Sequence, residues 1–391
     1  MESNGLNKTN TFLNLLSGNC YPIKINDDYH STGTKFYMAF SWFITSFFFI
    51  TTSVVVFFIP GEIALQSSTV CSSIVVEGIV VGIYMNSQRS LLRKLVNKMQ
   101  EILIENDTLN ESISQTLNPI SQPIRFYLFC SIFGAGFWNS LAFFRLFDQN
   151  QFTYTDFVIP SYFPFEPFAK KSFAIAVLIQ VIGSLFVSAK KFSTDVYVIY
   201  IIALLTAQYK YLRNDLANIL GNGENNTETI IEQDEYRNNS EDRLKTWIKH
   251  HQDVLAISRM LKDLTALNVL FTSANCTFRF CFLAYMLIKT PMTFFEKCFI
   301  VIYAGASLTQ LFMLCYCVQE LSDSSQSVTT DAFHSRWFML QESKKNFTII
   351  ITADKIRSGL SGFGIVDLSL ATFTQIINHA YSGCLFLQNA G

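Results

Sequence analysis

The chain has 391 residues, of which 50% are apolar and only 15% are charged, and its formal net charge is −1. A soluble domain usually carries about 25% charged residues, so this composition indicates a membrane protein. The near-zero net charge argues against electrostatic binding of nucleic acid. The sequence also lacks a phosphate-binding loop, a nucleophile elbow and clustered Cys or His residues. It therefore predicts neither an enzyme nor a metal or cofactor site.

Seven segments are long and apolar enough to cross a bilayer, whose core of about 30 Å needs about 20 helical residues. They are 36–59, 64–86, 124–146, 171–206, 265–288, 297–319 and 365–387. No Gly, Pro or Asn turn divides the fourth segment beside Lys190 and Lys191, so we expect one long helix that continues beyond the membrane. The predicted fold is an all-α membrane protein with seven transmembrane helices.

The basic residues outside these segments predict the orientation in the membrane. One side carries 21 Lys and Arg residues, in 1–35, 87–125, 207–264 and 320–364, whereas the other side carries 5. Because basic residues accumulate on the cytoplasmic side, we expect a cytoplasmic N-terminus and, after seven crossings, an extracellular C-terminus. This orientation is opposite to that of a G-protein-coupled receptor.

Helical segments with an apolar face extend the bundle on the predicted cytoplasmic side. Ser90 is a candidate N-cap for a helix whose apolar residues recur on one face as far as residue 103. A second apolar stripe covers 244–264, and a third helical segment covers 337–357. We expect these faces to form a cytoplasmic anchor by packing against each other or against neighbouring subunits. Residues 221–242 are acidic and poor in apolar side chains, and we expect disorder there.

Small and aromatic residues share a face in the third span and in the sixth. Ser131, Gly134 and Trp138 lie at i, i+3 and i+7, so the small residues leave room beside a large indole. Tyr303 is followed by small residues and offers a similar surface. Each surface fits either a ligand pocket or close packing between helices. The aromatic segment 149–171 is either a lid over such a pocket or a belt at the membrane interface.

Six ionisable residues lie well inside the spans, where burying a charge in hydrocarbon is costly. Each is therefore a candidate contact with an ion or ligand. The alternatives are that Lys190 and Lys191 reach the membrane surface or a water-filled cavity, that Asp195 pairs with one of them, and that Glu77 pairs with Arg279 between helices. The six residues are Glu77, Lys190, Lys191, Asp195, Arg279 and His379.

The last span carries a polar stripe that gives way to apolar residues near its outer end. The stripe consists of Thr372, Gln375, Asn378, His379 and Ser382, and the residues that follow are Leu385, Phe386 and Leu387, then Gln388 and Asn389. This pattern fits a pore-lining helix with a hydrophobic gate. It equally fits a buried helix whose polar side binds its neighbours.

Two stretches of the sequence resemble insect odorant receptors. The stretch 303–338 is similar to the sixth helix and following loop of that family at Gln310, Cys315, Leu321, Asp323, Ser324, Ser325, Val328, Phe333 and Trp337. The stretch 369–387 resembles the family's ending at Ser369, Leu370, Phe373, Ala380, Tyr381 and Ser382. It departs from the family at Gly383 and Cys384, where an aromatic pair is usual. The TY…QF ending of the related gustatory receptors is absent.

The resemblance implies a subunit of a tetrameric, odorant-gated, non-selective cation channel in the plasma membrane of sensory neurons, with a shared co-receptor as its partner. It implies that a volatile apolar odorant binds in the outer half of the bundle near Ser131, Gly134, Trp138, Phe173, Val177, Tyr303 and Ala306. It also implies that the last helix lines the pore, with a gate at Leu385, Phe386 and Leu387 beside Ser382, Gln388 and Asn389. The alternatives are a gustatory-receptor-like channel, a G-protein-coupled-type chemoreceptor and a secondary transporter.

These expectations divide the chain into four regions. Residues 1–35 form the cytoplasmic N-terminus, and 36–206 contain the first four transmembrane helices with the odorant pocket. Residues 207–264 form a cytoplasmic loop and anchor helix. Residues 265–391 contain the last three transmembrane helices with an anchor segment and the pore helix.

Overall fold

The computed structural model describes residues 5–23, 31–58, 69–103, 107–148, 150–157, 159–164, 166–221, 230–289, 294–334 and 359–390. The helices in these ranges are α1 (Gly5–Ser17), α2 (Thr32–Val54), α3 (Thr69–Ser87), α4 (Arg89–Ile102), α5 (Asp107–Asp148), α6 (Lys170–Gly221), α7 (Ile230–Lys289), α8 (Phe294–His334) and α9 (Leu370–Ala390). Two short antiparallel hairpins accompany them, β1 (Gln151–Phe152) with β2 (Phe168–Ala169), and β3 (Ser361–Gly362) with β4 (Val366–Asp367).

The fold is nearly all-helical, as the sequence predicts, and each of the seven predicted spans overlaps one of α2, α3, α5, α6, α7, α8 and α9. Within the described ranges, three helices are long and apolar enough by themselves to cross a membrane. They are Thr32–Val54, Lys170–Ile219 and Lys297–His334, and Val75–Ser87 is a shorter apolar helix.

Helix α6 is the centre of the fold. It runs without interruption from Lys170 to Gly221, which confirms the prediction of one long helix in place of two short spans. Nearly every side chain between Lys190 and Tyr209 is buried, because α1, α5, α7 and α8 all pack against this helix. A helix that is apolar on all sides is expected to be enclosed in this way.

The apolar faces of α4 and α7 pack within the chain. Leu92, Leu95, Trp247 and Leu261 are buried in the main core. The indole Nε1 of Trp247 donates a hydrogen bond to the carbonyl oxygen of Leu212 at 2.8 Å, which fixes α7 against α6. The predicted helical segment 337–357 lies outside the described residues.

Two predicted helix starts differ from the structure. Ser90 lies inside α4 and does not cap it, because the chain turns only at Gln88 and the helix resumes at Arg89. Helix α9 begins at Leu370, since the preceding residues form the β3–β4 hairpin. Gly362 in this hairpin lies so close to α7 that an added Cβ would be 2.8 Å from the Cβ of Leu270.

The prediction of disorder across 221–242 is wrong from Ile230 onward, where α7 already begins. Glu, Gln and Arg in this stretch are good helix formers although they are polar. Extending an existing helix also avoids the cost of starting a new one, so the buried part of α7 supports these additional turns.

Candidate functional site

A cavity of about 150 Å³ lies inside the helix bundle. Helices α2, α3, α5, α6, α7 and α8 all contribute to its lining, which is mostly apolar and includes Phe48, Val75, Val187, Phe192, Leu283, Met286, Phe299 and Ile300. An engineered apolar cavity of about this size in another protein stays dry and binds benzene. The cavity therefore has the size and lining that suit a small organic molecule.

Four of the residues predicted to bind ligand line this cavity. Ser131 and Gly134 border it from α5, and Tyr303 and Ala306 border it from α8. A Cβ added at Gly134 would have no neighbouring atom within 4 Å, so the third span is open at this position and is not closely packed there. Trp138 belongs to α5, but its side chain lies outside the described part of the structure.

The other two predicted ligand residues, Phe173 and Val177, do not line the cavity. They are buried in a separate aromatic cluster at the start of α6, where the rings of Phe152 and Phe173 stack with centroids 4.1 Å apart. The cavity-lining residues of α6 begin at Ser184, about two turns further along the helix than Val177. The cavity thus lies beside the same helix as Phe173 and Val177, but further along it.

The aromatic segment between α5 and α6 covers the end of the bundle that contains the cavity. Ile159 from this segment lines the cavity directly. The amide of Gln180 on α6 holds the segment in place by donating hydrogen bonds to the carbonyl oxygen of Ile159 and, at 3.1 Å, to the hydroxyl of Ser161. The backbone N–H of Tyr162 also donates to the carbonyl oxygen of Thr51 on α2 at 2.9 Å. The segment therefore forms one side of the cavity as well as an aromatic cluster.

Four of the ionisable residues inside the spans meet beside the cavity, in a group that we call the charged cluster: Glu77, Lys191, Asp195 and Arg279. The Nζ of Lys191 lies 2.8 Å from Oε1 of Glu77 and 2.5 Å from Oδ1 of Asp195. The guanidinium of Arg279 forms an ion pair with the other oxygen of Glu77. All four side chains are buried. The cluster contains two acidic and two basic side chains, so its formal net charge is zero.

Neutral side chains complete the hydrogen bonding of the two carboxylates. Tyr127 and Gln310 each donate to Oδ2 of Asp195 at 2.9 Å. Asn275 donates to Oε2 of Glu77 at 2.5 Å, and Thr272 donates to Oε1 at 3.1 Å. These bonds offset the cost of removing charge from water. Tyr127, Lys191, Arg279 and Gln310 also line the cavity, so its apolar lining ends at a polar surface.

The remaining two ionisable residues lie elsewhere. Lys190 neighbours Lys191 in sequence but points to another side of α6, where its Nζ lies 4.2 Å from the centroid of the Trp42 ring. His379 is exposed on α9. Ion pairing thus accounts for four of the six predicted candidates, and a cation–π contact accounts for Lys190.

Three of the six residues predicted to form the pore and gate lie along the uncovered face of α9. Ser382, Leu385 and Phe386 are exposed, and Phe386 is exposed by 72%. Their face continues the polar stripe through Gln375, Asn378 and His379, while Ile376, Ala380 and Cys384 are buried on the opposite side. Leu387 packs against the cluster around Phe282 and Met286, and Gln388 is partly buried. The side chain of Asn389 lies outside the described part of the structure.

The sequence did not reveal the contributions of the first and fifth spans to the cavity. Phe48 on α2 and Leu283 and Met286 on α7 line it. In a uniformly apolar span, the residues that face a cavity, a neighbouring helix or lipid are chemically alike. No periodic signal distinguishes them, so only the packed structure could identify these three residues.

The fold is similar to that of known insect olfactory receptors. The structure of the olfactory receptor OR5 from Machilis hrabei in complex with eugenol superposes with a TM-score of 0.81, over 98% of this chain and 97% of that chain, at 14% sequence identity. The structure of the same receptor without eugenol gives a TM-score of 0.80 at 13% identity.

Sequence comparison identifies relatives in Drosophila melanogaster. Odorant receptor 85b is 19% identical over 198 residues, which are 50% of this chain and 47% of that protein. Odorant receptor coreceptor is 24% identical over 135 residues, which are 34% of this chain and 28% of that protein. The matched regions thus span less than half of the length of these relatives. The family model for the 7tm odorant receptor matches residues 61–381. The chain therefore belongs to the 7tm odorant receptor family.

Proposed function

We propose that this protein is the ligand-tuned subunit of an odorant-gated, non-selective cation channel. The observation that carries the proposal is the cavity of about 150 Å³ inside the bundle, with an apolar lining that ends at the charged cluster. Binding sites for small molecules are usually concave and mostly apolar, with a few polar groups that fix the orientation of the ligand. An apolar volatile would bind beside Ser131, Gly134, Tyr303 and Ala306.

The pore in this proposal is lined by α9. Its exposed face is polar from Gln375 to Ser382 and apolar at Leu385 and Phe386. Polar side chains facing lipid would lose their hydrogen bonds to water, so we expect this face to meet a water-filled pore or another subunit. Leu385 and Phe386 would close the pore by excluding water, while Leu387 packs inward against the cluster around Phe282 and Met286.

The partner in this proposal is a co-receptor subunit that completes a heterotetramer in the plasma membrane of sensory neurons. The similarity of this chain to Odorant receptor coreceptor supports the proposal, since related subunits with a common fold can share one assembly. The N-terminus would be cytoplasmic, as the excess of basic residues predicts. Helices α4 and α7 would then extend below the membrane as part of an anchor.

Filling the cavity tests the ligand site. In cells that express the subunit with a co-receptor, Gly134→Leu should lower the sensitivity of volatile-evoked current at least tenfold, because the leucine side chain occupies the space of the ligand. Gly136→Leu is the matched control, since Gly136 lies on the same helix but is exposed and does not line the cavity. Equal dose–response curves for the two variants at equal surface abundance would contradict the proposed site.

A further inference from the structure

The lining of the cavity includes a buried, charged hydrogen-bond donor that has no acceptor among the described residues. Arg279 lines the cavity and is 3% exposed. Two of its three guanidinium nitrogens have partners, since Nη2 pairs with Glu77 and Nη1 lies 3.4 Å from the hydroxyl of Ser307. Its Nε is buried and has no hydrogen-bond partner among the described residues.

A buried N–H without an acceptor is costly, and the cost is larger for a charged donor. Native proteins seldom leave such a group unsatisfied unless it has a function or meets a molecule that the chain does not supply. The side chain is 3% exposed, between Glu77 on α3 and Ser307 on α8. The cavity is the space in which an acceptor could meet Arg279.

The charge of the surroundings restricts the chemistry of that acceptor. Arg279 and Lys191 are already balanced by Glu77 and Asp195. A carboxylate in the cavity would therefore add an uncompensated negative charge to a poorly solvated space. A neutral carbonyl oxygen can accept the Nε–H without this penalty, and the rest of the molecule can occupy the apolar part of the cavity.

We infer that the cavity selects small, neutral volatiles that carry one hydrogen-bond acceptor, such as a ketone, aldehyde or ester, and that Nε of Arg279 binds this oxygen. The inference rests on the proposed function for the identity of the site and adds the chemical class of its ligand. The size of the cavity, about 150 Å³, limits the ligand to roughly a single ring or a short chain.

Binding of matched ligand pairs tests the inference separately from channel activity. Dissociation constants for the purified full-length protein in nanodiscs would be measured for acetophenone against ethylbenzene and for 2-hexanone against hexane, with benzoate as an anionic probe. We expect each ketone to bind roughly tenfold or more tightly than its hydrocarbon, because a hydrogen bond to a charged donor contributes to binding. Benzoate should bind more weakly than acetophenone.

Arg279→Lys keeps the positive charge beside Glu77 but has no Nε–H, so it should abolish the preference for ketones while hydrocarbons still bind. The matched control is Arg213→Lys, because Nε of Arg213 binds the exposed Asp331 far from the cavity. This control should keep the preference. If Arg279→Lys does not fold, the dissociation constants of the ligand pairs for the parent protein still show whether a ligand with a neutral acceptor binds more tightly than its hydrocarbon.

The outcomes separate the inference from the proposed function. Equal affinities within each pair, tighter binding of benzoate, or no binding of either ketone would overturn the inference. A preference for ketones that persists in Arg279→Lys would also overturn it, because another group would then be the donor. Selective binding without any evoked current would contradict the proposed channel but support the assigned ligand class.

Discussion

Glu77 and Arg279 are 202 positions apart in the sequence and form a buried ion pair between α3 and α7. Lys191 on α6 contacts the other oxygen of the same carboxylate at 2.8 Å. Three helices that are distant in sequence are thus joined at a single side chain next to the cavity. A ligand that contacts Arg279 would touch the ion pair that holds these helices together. Ligand binding would therefore act directly on the packing of the three helices.

Removing the carboxylate of Glu77 should destabilise the fold. Glu77→Gln leaves Arg279 with a neutral partner and Lys191 with Asp195 as its one remaining carboxylate in the cluster, and breaking a buried ion pair in this way costs roughly 3–5 kcal/mol. A protein whose total stability is about 5–15 kcal/mol would lose a large part of it. We expect a marked fall in surface abundance, measured by surface biotinylation.

Asp242→Asn is the control for this prediction, because Asp242 forms an exposed ion pair with Lys245 and should be replaceable without loss of surface protein. The double variant Glu77→Gln with Arg279→Met removes both partners and should recover part of the abundance. If Glu77→Gln alone reaches the surface at the level of the parent, the pair does not stabilise the fold.

The sequence was sufficient to predict a helix in each of the seven apolar spans, because apolar spans of this length leave few alternatives to a helix in a bilayer. It also identified Glu77, Lys191, Asp195 and Arg279 one by one as unusual. It proposed pairing of Glu77 with Arg279 and of Asp195 with Lys190 or Lys191, and both pairings are confirmed, with Lys191 as the partner of Asp195. It did not predict that Lys191 joins the two pairs by also contacting Glu77, since that contact is set by the packing of helices distant in sequence. The sequence also could not show that Phe173 and Val177 lie in a cluster away from the cavity, because an apolar side chain fits a cavity and an aromatic cluster equally well.

Helix α5 continues through two prolines, because its packing against the core stabilises it. Pro119 and Pro123 would each interrupt an isolated helix by removing a backbone donor. Here the helix continues from Asp107 to Asp148, with Leu117, Ile120 and Ile124 buried in the main core around the two prolines. Burial of these apolar side chains offsets the lost hydrogen bonds, which sequence alone could not establish.

The orientation of the chain can be tested with epitope tags. The excess of 21 basic residues over 5 predicts a cytoplasmic N-terminus and an extracellular C-terminus. On intact cells, a tag before Met1 should remain unstained and a tag after Gly391 should stain. Permeabilised cells serve as the control and should stain for both. Staining of the N-terminal tag without permeabilisation would reverse the proposed topology.

His250 should make the stability of the protein depend on pH. It lies outside the predicted spans, with Nε2 3.1 Å from Oε1 of Gln208. Burial lowers the pKa of His250 below its ordinary value of 6.5, although Asp215 and Asp253 act in the opposite direction. Because the folded state favours the neutral ring, its contribution to stability is present above pH 6.5 and is lost as the pH falls through the lowered pKa.

The expected result is a decrease in the unfolding temperature of the detergent-solubilised protein between pH 7 and pH 5.5. His250→Gln removes the titrating ring but keeps a hydrogen-bonding group, so the decrease should be smaller in this variant. The exposed His334→Gln serves as the matched control and should follow the parent. Identical curves for the parent and His250→Gln would show that this ring is not the source of the pH dependence.

The gate prediction distinguishes neighbouring positions on α9. Leu385 and Phe386 are exposed, whereas Leu387 packs against the cluster around Phe282 and Met286. If exposed apolar side chains close the pore by excluding water, Leu385→Ser and Phe386→Ser should wet the constriction and raise the current in the absence of ligand. Leu387→Ser should instead lower surface abundance, because it places a hydroxyl in a packed cluster.

Basal current and the relative permeability to Na⁺, K⁺ and Ca²⁺ would be measured for the three variants, each normalised to its surface abundance. In the proposed heterotetramer the co-receptor would also contribute helices to the pore, so we expect a partial increase in basal current, and the permeability ratios are the more sensitive measurement. Val301→Ser is a control on α8, where an exposed apolar residue lies away from the α9 face and should leave both quantities unchanged. Parent-like permeability and basal current in both Leu385→Ser and Phe386→Ser would exclude this face of α9 from the conduction path.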